Sequence, residues 1–331
     1  MATLPRPSRS VRATAALAPL MLVLAACGAG DSDPADYPEE SVSIIVPFSA
    51  GGPTDTVTRL IAEPMSEALG QQVLVENVEG AGGTVAGAEA ASADPDGYTV
   101  LMHHIGMSTA PTLYEDLAYD PLTDFKTVGL VTEVPMTIIA RSDFEPETME
   151  ELTTYLQENA DTVNLANAGV GAASQLCGVL LQDALGVELN EVPYDGTGPA
   201  MTELVGGQVD LMCDQTTNTT NQINAGEVKA YAVTTPERID ALPDVPTAVE
   251  SGLDLEVSVW HGLYVPAETP DEIVATLTEA LQAALTDQNV IDEMAKLGTA
   301  PVPEDQATPE AHTAKLEDQI ELWRDLLSAG G

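Results

Sequence analysis

The chain has 331 residues, 53 of them acidic and 11 basic, for a formal net charge of −42. A field of that sign repels the phosphates of nucleic acid and the headgroups of anionic lipid, which excludes both as directly attracted partners. Apolar residues make up 44% of the chain, and the acids are scattered rather than run together, so a disordered chain is excluded as well.

The first 27 residues read as an address. Arg6, Arg9 and Arg12 form a positive start, 13–23 is an apolar stretch too short to span a bilayer, and Leu24-Ala25-Ala26-Cys27 follows at the small-residue cleavage position. This resembles the lipobox of bacterial lipoproteins; the plainer alternative is an ordinary signal peptide whose cut falls near a cysteine. The resemblance implies a signal peptide over 1–26, lipid on the Cys27 thiol, and anchoring to the outer face of a cytoplasmic membrane, at the cell surface or in the periplasm. Residues 27–40 are then a polar tether. Cleavage removes three bases and no acids, which takes the charge to about −45.

The remaining 300 or so residues are enough for two domains of ordinary size. Apolar and β-branched runs predict strands at "VSIIVPF" (42–48), "QVLVEN" (72–77), "YTVLMHH" (98–104), "MTIIAR" (136–141) and "TVNLAN" (162–167). Further strands are predicted at "VELNEVPY" (187–194), "QVDLMC" (208–213), "VKAYAVTT" (228–235) and "SVWHGLYV" (258–265). Helical spacing between them predicts helices near 54–69, 148–158, 173–185, 199–206 and 271–286, with a closing helix at the C-terminus. Strand and helix in alternation imply parallel sheets covered on both faces.

In open α/β sheets ligands bind at the loops that follow the strands. Small-residue loops fall at such places at 47–55, 79–87, 168–174, 194–199 and 213–217, and together they suggest a cleft. In "PFSAGGPTD", Pro53 suits the first helical position, where its missing N–H costs nothing, and Gly51 and Gly52 permit close backbone approach. The N–H groups of Gly51, Gly52, Thr54 and Asp55 are then expected to converge as an anion site, beside the hydroxyls of Ser49 and Thr54. Asp55 turns back to the helix start or pairs with Arg59. The loop lacks the Lys-Ser/Thr pair of a phosphate loop, and "GAGGTVAG" puts Val85 where a dinucleotide fingerprint needs glycine. A carboxylate fits the donors better than phosphate, and no cofactor is implied.

Catalysis finds little support, since His103, His104, His261 and His312 have no nucleophile partner at sequence level. His103 and His104 could line the cleft; the plainer reading is one packed and one solvated ring. Cys177 and Cys213 are an even pair in an exported chain, a candidate disulfide or two buried thiols, and without clustered histidines they make no metal site.

The stretches 46–87, 93–102, 111–131, 192–215, 228–238 and 262–270, from "VPFSAGGPTDTVTRL" to "GLYVPAETP", together resemble the Bug-type solute receptors of tripartite tricarboxylate transporters. That resemblance implies an α/β, two-lobed, periplasmic-binding-protein-like fold (Venus flytrap, type II) with parallel or mixed sheets and a hinge. One lobe is expected over 38–139 plus 257–331 and the other over 140–256, with strands near 130–141 and 257–265 crossing between them. The partner implied is a membrane complex of one large and one small subunit, and the ligand an organic acid: a di- or tricarboxylate, an acidic amino acid or an aromatic acid. Carried over by position, the pocket comprises Phe48, Ser49, Ala50, Gly51, Gly52, Thr54 and Asp55 of the first loop. Gly171, Ala172 and Ser174, then Tyr194 and Gly196, and finally Asp214 and Gln215 complete it. "GVGAASQLCG" departs from the commoner family form, having Ala172, Ala173 and Gln175 where Ser or Thr and then His are usual. Two other readings compete: an exported α/β enzyme with Asp55 or His103 as base, and a receptor for an ATP-driven importer.

Overall fold

Val42, Ile44 and Val46 alternate with Ser43 and Ile45, so a strand there presents one apolar stripe to each face of a sheet. In the computed structural model, which describes residues 34–329, this is β1 (Val42–Val46). The signal segment, the first half of the tether and Cys27 lie outside the described residues. The chain continues through α1 (Pro53–Leu69), β2 (Val73–Asn77), α2 (Thr84–Ala91), β3 (Thr99–His104), α3 (Gly106–Leu113) and a long β4 (Phe125–Arg141). Then come α4 (Met149–Asn159), β5 (Asn164–Asn167), α5 (Ala173–Leu185), β6 (Asn190–Pro193), α6 (Thr197–Val205), β7 (Leu211–Gln215), α7 (Thr216–Ala225) and β8 (Val228–Val233). The last segment returns as β9 (Ser258–Pro266), α8 (Asp271–Leu285), α9 (Gln288–Lys296) and α10 (Pro309–Ala329).

The strands form two sheets that share β4. The first has the order β2-β1-β3-β9-β4 and the second β8-β4-β7-β5-β6. β1, β2 and β3 are mutually parallel, as are β5, β6 and β7, whereas β4, β8 and β9 supply antiparallel pairs. The sheets are therefore mixed, which alternation alone does not reveal. Phe125 to Pro135 pair with β9, and Met136 to Arg141 pair with β7 and β8. The change of partners falls at Pro135, a residue with no N–H to give to a ladder.

β9 lies wholly in the first sheet, contrary to the expected crossing there. The chain returns just before it, where Val257 N–H donates to the Thr234 carbonyl oxygen at 3.0 Å and the Thr234 hydroxyl donates back to Val257 at 2.6 Å.

Each sheet is packed on both faces. On the first, Val42, Ile44 and Val46 meet Val57, Ile61 and Met65 of α1 and Leu277 and Leu281 of α8. Ile45 and Leu101 face the other way, in the core that includes Ala86 of α2, Met107 of α3 and Trp323 of α10. On the second, Ile138 and Leu165 pack toward α4 and α5, and Ile139 and Met212 toward Met201 and Leu204 of α6. Cys177 of α5 and Cys213 of β7 are fully buried and joined as a disulfide, with Cα atoms 5.9 Å apart. No helix among the described residues is long and apolar enough to cross a membrane.

Candidate functional site

Every strand-to-helix step of a parallel unit puts a helix start at the same edge of its sheet. Four of them, the starts of α1, α5, α6 and α7, meet between the two sheets. At α1, Pro53 takes the first helical position after extended Gly52, with no side-chain cap. Asp55 is 2% exposed and satisfies three donors: Gly51 N–H at 2.8 Å, Arg59 Nε at 2.9 Å and Asn77 Nδ2 at 3.0 Å. Burial raises its pKa, but the bonds from Arg59, Gly51 and Asn77 outweigh it and hold the carboxyl below the usual range. Its role is to brace the turn. Gly51 is thereby withdrawn from the expected set of free N–H groups, and Gly52 donates to the Ser49 carbonyl oxygen at 3.3 Å. Thr54 and Asp55 keep N–H groups with no hydrogen-bond acceptor among the described residues.

α5 repeats the design. Gln175 Oε1 takes the Gly171 N–H at 3.2 Å, and the Ser174 hydroxyl oxygen accepts from Ala168 N–H at 2.9 Å, which leaves its own hydrogen to donate. The helix starts at Ala173 after extended Ala172, again without a side-chain cap. α6 follows Gly196 and α7 follows Gln215, both uncapped by side chains.

Phe48, Pro53, Thr54 and His104 from one side and Ala168, Ala172, Ser174, Thr197, Asp214 and Gln215 from the other enclose a cavity of only about 10 Å³, on the order of one water. The two sides touch. Ser49 N–H donates to the Asp195 carbonyl oxygen at 3.2 Å, and the Tyr114 hydroxyl lies 2.9 Å from the Ala81 carbonyl oxygen and 2.8 Å from that of Val170. A neighbouring cavity of about 430 Å³ shares Phe48 and Ala168 and adds Tyr194.

No lysine or arginine lines either cavity. All eight basic side chains from Arg59 onward lie within 4.0 Å of a carboxylate. Positive potential at the site comes from backbone: each helix start carries roughly half a unit charge. His103, His104 and His261 sit together behind Phe48 at 1%, 2% and 0% exposure, with the His104 ring stacked on Phe48 at 4.8 Å. Burial pushes His103 to about 4 and His261 to about 3, and His104 well down, so all three are neutral at pH 7. Neither of the histidines at the end of β3 is solvated. His261 Nε2 lies 3.3 Å from the Thr54 hydroxyl and holds it in place.

Of the residues expected in the pocket, Phe48, Thr54, Ala172, Ser174, Asp214 and Gln215 line the central cavity and Tyr194 the neighbouring one. Ser49, Gly52 and Gly196 form the seam between the two sides, Ala50 and Gly51 are exposed on its rim, and Gly171 receives the Thr109 hydroxyl at 3.3 Å. Thr197 and His104 also line the cavity. Thr197 directly follows Gly196 at a helix start, a signal the sequence does carry.

The chain matches the family model described as "Tripartite tricarboxylate transporter family receptor" over residues 57–329. The chain belongs to this family. A relative from Agrobacterium vitis, "UPF0065 protein in the TAR-I ttuE-ttuC' intergenic region", is 56% identical over 89% of this chain and 86% of its own length. The solved periplasmic binding protein BugD is 52% identical with a TM-score of 0.87, covering 88% of this chain and 98% of that one. MatC from Rhodopseudomonas palustris with bound malate is 42% identical, TM-score 0.85, covering 87% and 99%. A further R. palustris protein, solved with adipate, is 29% identical, TM-score 0.84, covering 88% and 98%. Members of this family are extracytoplasmic solute receptors, not enzymes, and the two-lobed binding-protein fold described above is theirs.

Proposed function

We propose that this family member captures an organic carboxylate between its lobes, mainly through backbone N–H groups at helix starts, and delivers it to a membrane complex of one large and one small subunit. The lobes are 38–139 plus 257–331 and 140–256, hinged at β4 and at the return near 257. The chain is held at the membrane by lipid on Cys27. The observation that carries this reading is the meeting of four uncapped helix starts at one cavity that no cationic side chain lines. Malate in MatC and adipate in the other R. palustris protein support the ligand class. Because the cavity is closed to about one water, the ligand enters with the lobes parted and is then enclosed.

A thermal-shift screen of organic acids, amines and sugars tests it. A bound ligand at about a hundred times its Kd stabilises by about 2.7 kcal/mol, a shift of several degrees. An acid is expected to give that shift, and a shift from a sugar or an amine with none from any acid would overturn the reading. Mass spectrometry of membrane-extracted protein checks the lipid.

A further inference from the structure

Asp214 stands at the end of β7, 1% exposed, on the wall of the central cavity. Its Oδ2 accepts from Asn218 Nδ2 at 2.6 Å, while its Oδ1 makes no hydrogen bond among the described residues. The side-chain oxygen of Gln215, 3% exposed on the same wall, is likewise unpaired. Asp55, the other buried carboxylate at a helix start, shows the contrast, because Gly51 and Arg59 donate to its Oδ2 and Asn77 of β2 donates to its Oδ1. An acceptor held away from water without a donor is a standing cost to the fold. Burial is the main influence on Asp214 and raises its carboxyl to about 6 against the lowering pull of Asn218, the Gln215 N–H and the Thr197 side chain, so at neutral pH it is ionised and only accepts, with Oδ1 lacking a donor in hydrogen-bond geometry.

The cavity thus presents two kinds of unmet demand: donors at the helix starts and acceptors on Asp214 and Gln215. A ligand built only of carboxylates meets the first and sets an anion against Asp214. An acid that also carries an O–H or N–H group meets both. We propose that the ligand is a carboxylate bearing a hydroxyl or ammonium donor, and that Asp214 is the residue that selects for that donor. This rests on the carboxylate-receptor reading above.

The experiment is titration calorimetry at pH 7.5 with three matched sets: succinate, malate and aspartate; glutarate, 2-hydroxyglutarate and glutamate; adipate, 2-hydroxyadipate and 2-aminoadipate. In at least one set a donor-bearing acid is expected to bind ten times or more tighter than its bare counterpart, a difference of about 1.4 kcal/mol. In Asp214→Asn the amide oxygen keeps the Asn218 bond and turns an NH₂ group toward the cavity. The preference is therefore expected to vanish while the bare acid holds its affinity or gains. Asp214→Ser, which removes the charge without presenting an amide, is expected to lose the preference too. Bare acids that bind wild type as tightly as their partners overturn this inference alone, and so does a preference that survives in both variants. Binding by none of the nine overturns this inference, whereas the receptor reading falls only if no acid shifts the protein in the thermal screen. The wild-type comparison decides even if neither variant folds.

Discussion

Ser49 donates its backbone N–H to the carbonyl oxygen of Asp195 at 3.2 Å, so the loop after β1 and the loop before α6 are bonded across the cleft. Gly196 makes the approach possible. A Cβ there would stand 2.9 Å from the Ser49 nitrogen and overlap its hydroxyl. Gly196 itself is extended, with φ 164°, a conformation open to any residue, so the constraint is space alone.

Gly196→Ala should therefore wedge the seam open without disturbing either lobe. The expected outcome is an unchanged denaturant midpoint for ligand-free protein and a loss of affinity of about tenfold or more for any acid that binds wild type, since the enclosed arrangement must be held apart from its preferred spacing. Calorimetry alongside chemical denaturation checks both halves, and unchanged affinity would refute the assignment of this seam.

Asp214 gives a pH-dependent prediction. Its folded pKa of about 6 lies above the ordinary value of 3.8, so between those values the native state holds a proton that the unfolded chain has released. Stability from this group is present at low pH and is lost as pH rises through about 6. Asp214→Asn should accordingly be more stable than wild type at pH 7.5, by at most about 3 kcal/mol, and level with it near pH 4. Thermal midpoints of the pair from pH 4 to 8 would show the gap widening; a constant gap would assign the difference to packing instead.

The Cys177–Cys213 bridge closes 36 residues of chain within one lobe. Cross-linking a loop of that length stabilises by roughly 3–4 kcal/mol on the chain-entropy account. Replacing both cysteines with alanine should lower the urea midpoint accordingly. It should also loosen the ligand site, because Asp214 follows Cys213 directly. Intact mass should rise by two hydrogen atoms on reduction, as each sulfur of the bridge becomes a thiol.

Charge gives a kinetic prediction. A carboxylate approaching a chain of formal charge −42 climbs a repulsive long-range field, and among the described residues no lysine or arginine lines the cavity to counter it. The contacts made once bound are short backbone hydrogen bonds that salt screens little. Stopped-flow association should speed up from low to high ionic strength while dissociation stays nearly constant. An on-rate that falls with salt would mean that Arg59 steers the ligand despite its pairing with Asp55.

Most of the strands were legible because β-branched runs end at proline, asparagine or glycine. Residues 173–185 form a helix at the expected bounds for the matching reason. The start of β4, before residue 130, was not legible, since Lys126 and Gly129 interrupt its apolar run; it is a strand because β9 pairs along it. Nor was α7, whose Thr- and Asn-rich sequence has weak helix propensity and is held by burial of Thr219 against Thr137 at 2.9 Å. The candidate pocket followed from the loops after strands. What no sequence spacing could disclose is which N–H groups remain free: Gly51 and Gly171 are taken by Asp55 and Gln175 four residues ahead, a matter of rotamer and not of residue type.

β3 and β4 are consecutive in the chain but not in the sheet, for β9 lies between them. The first sheet therefore cannot close until a strand some 120 residues further on has been made, while β5 to β8 can already assemble on the second half of β4. During synthesis the N-terminal third stays an unfinished surface, with β3 and β4 waiting for their shared neighbour. Such long-range closure is slow to form. The third of the chain that is made first is therefore the last to gain a finished sheet.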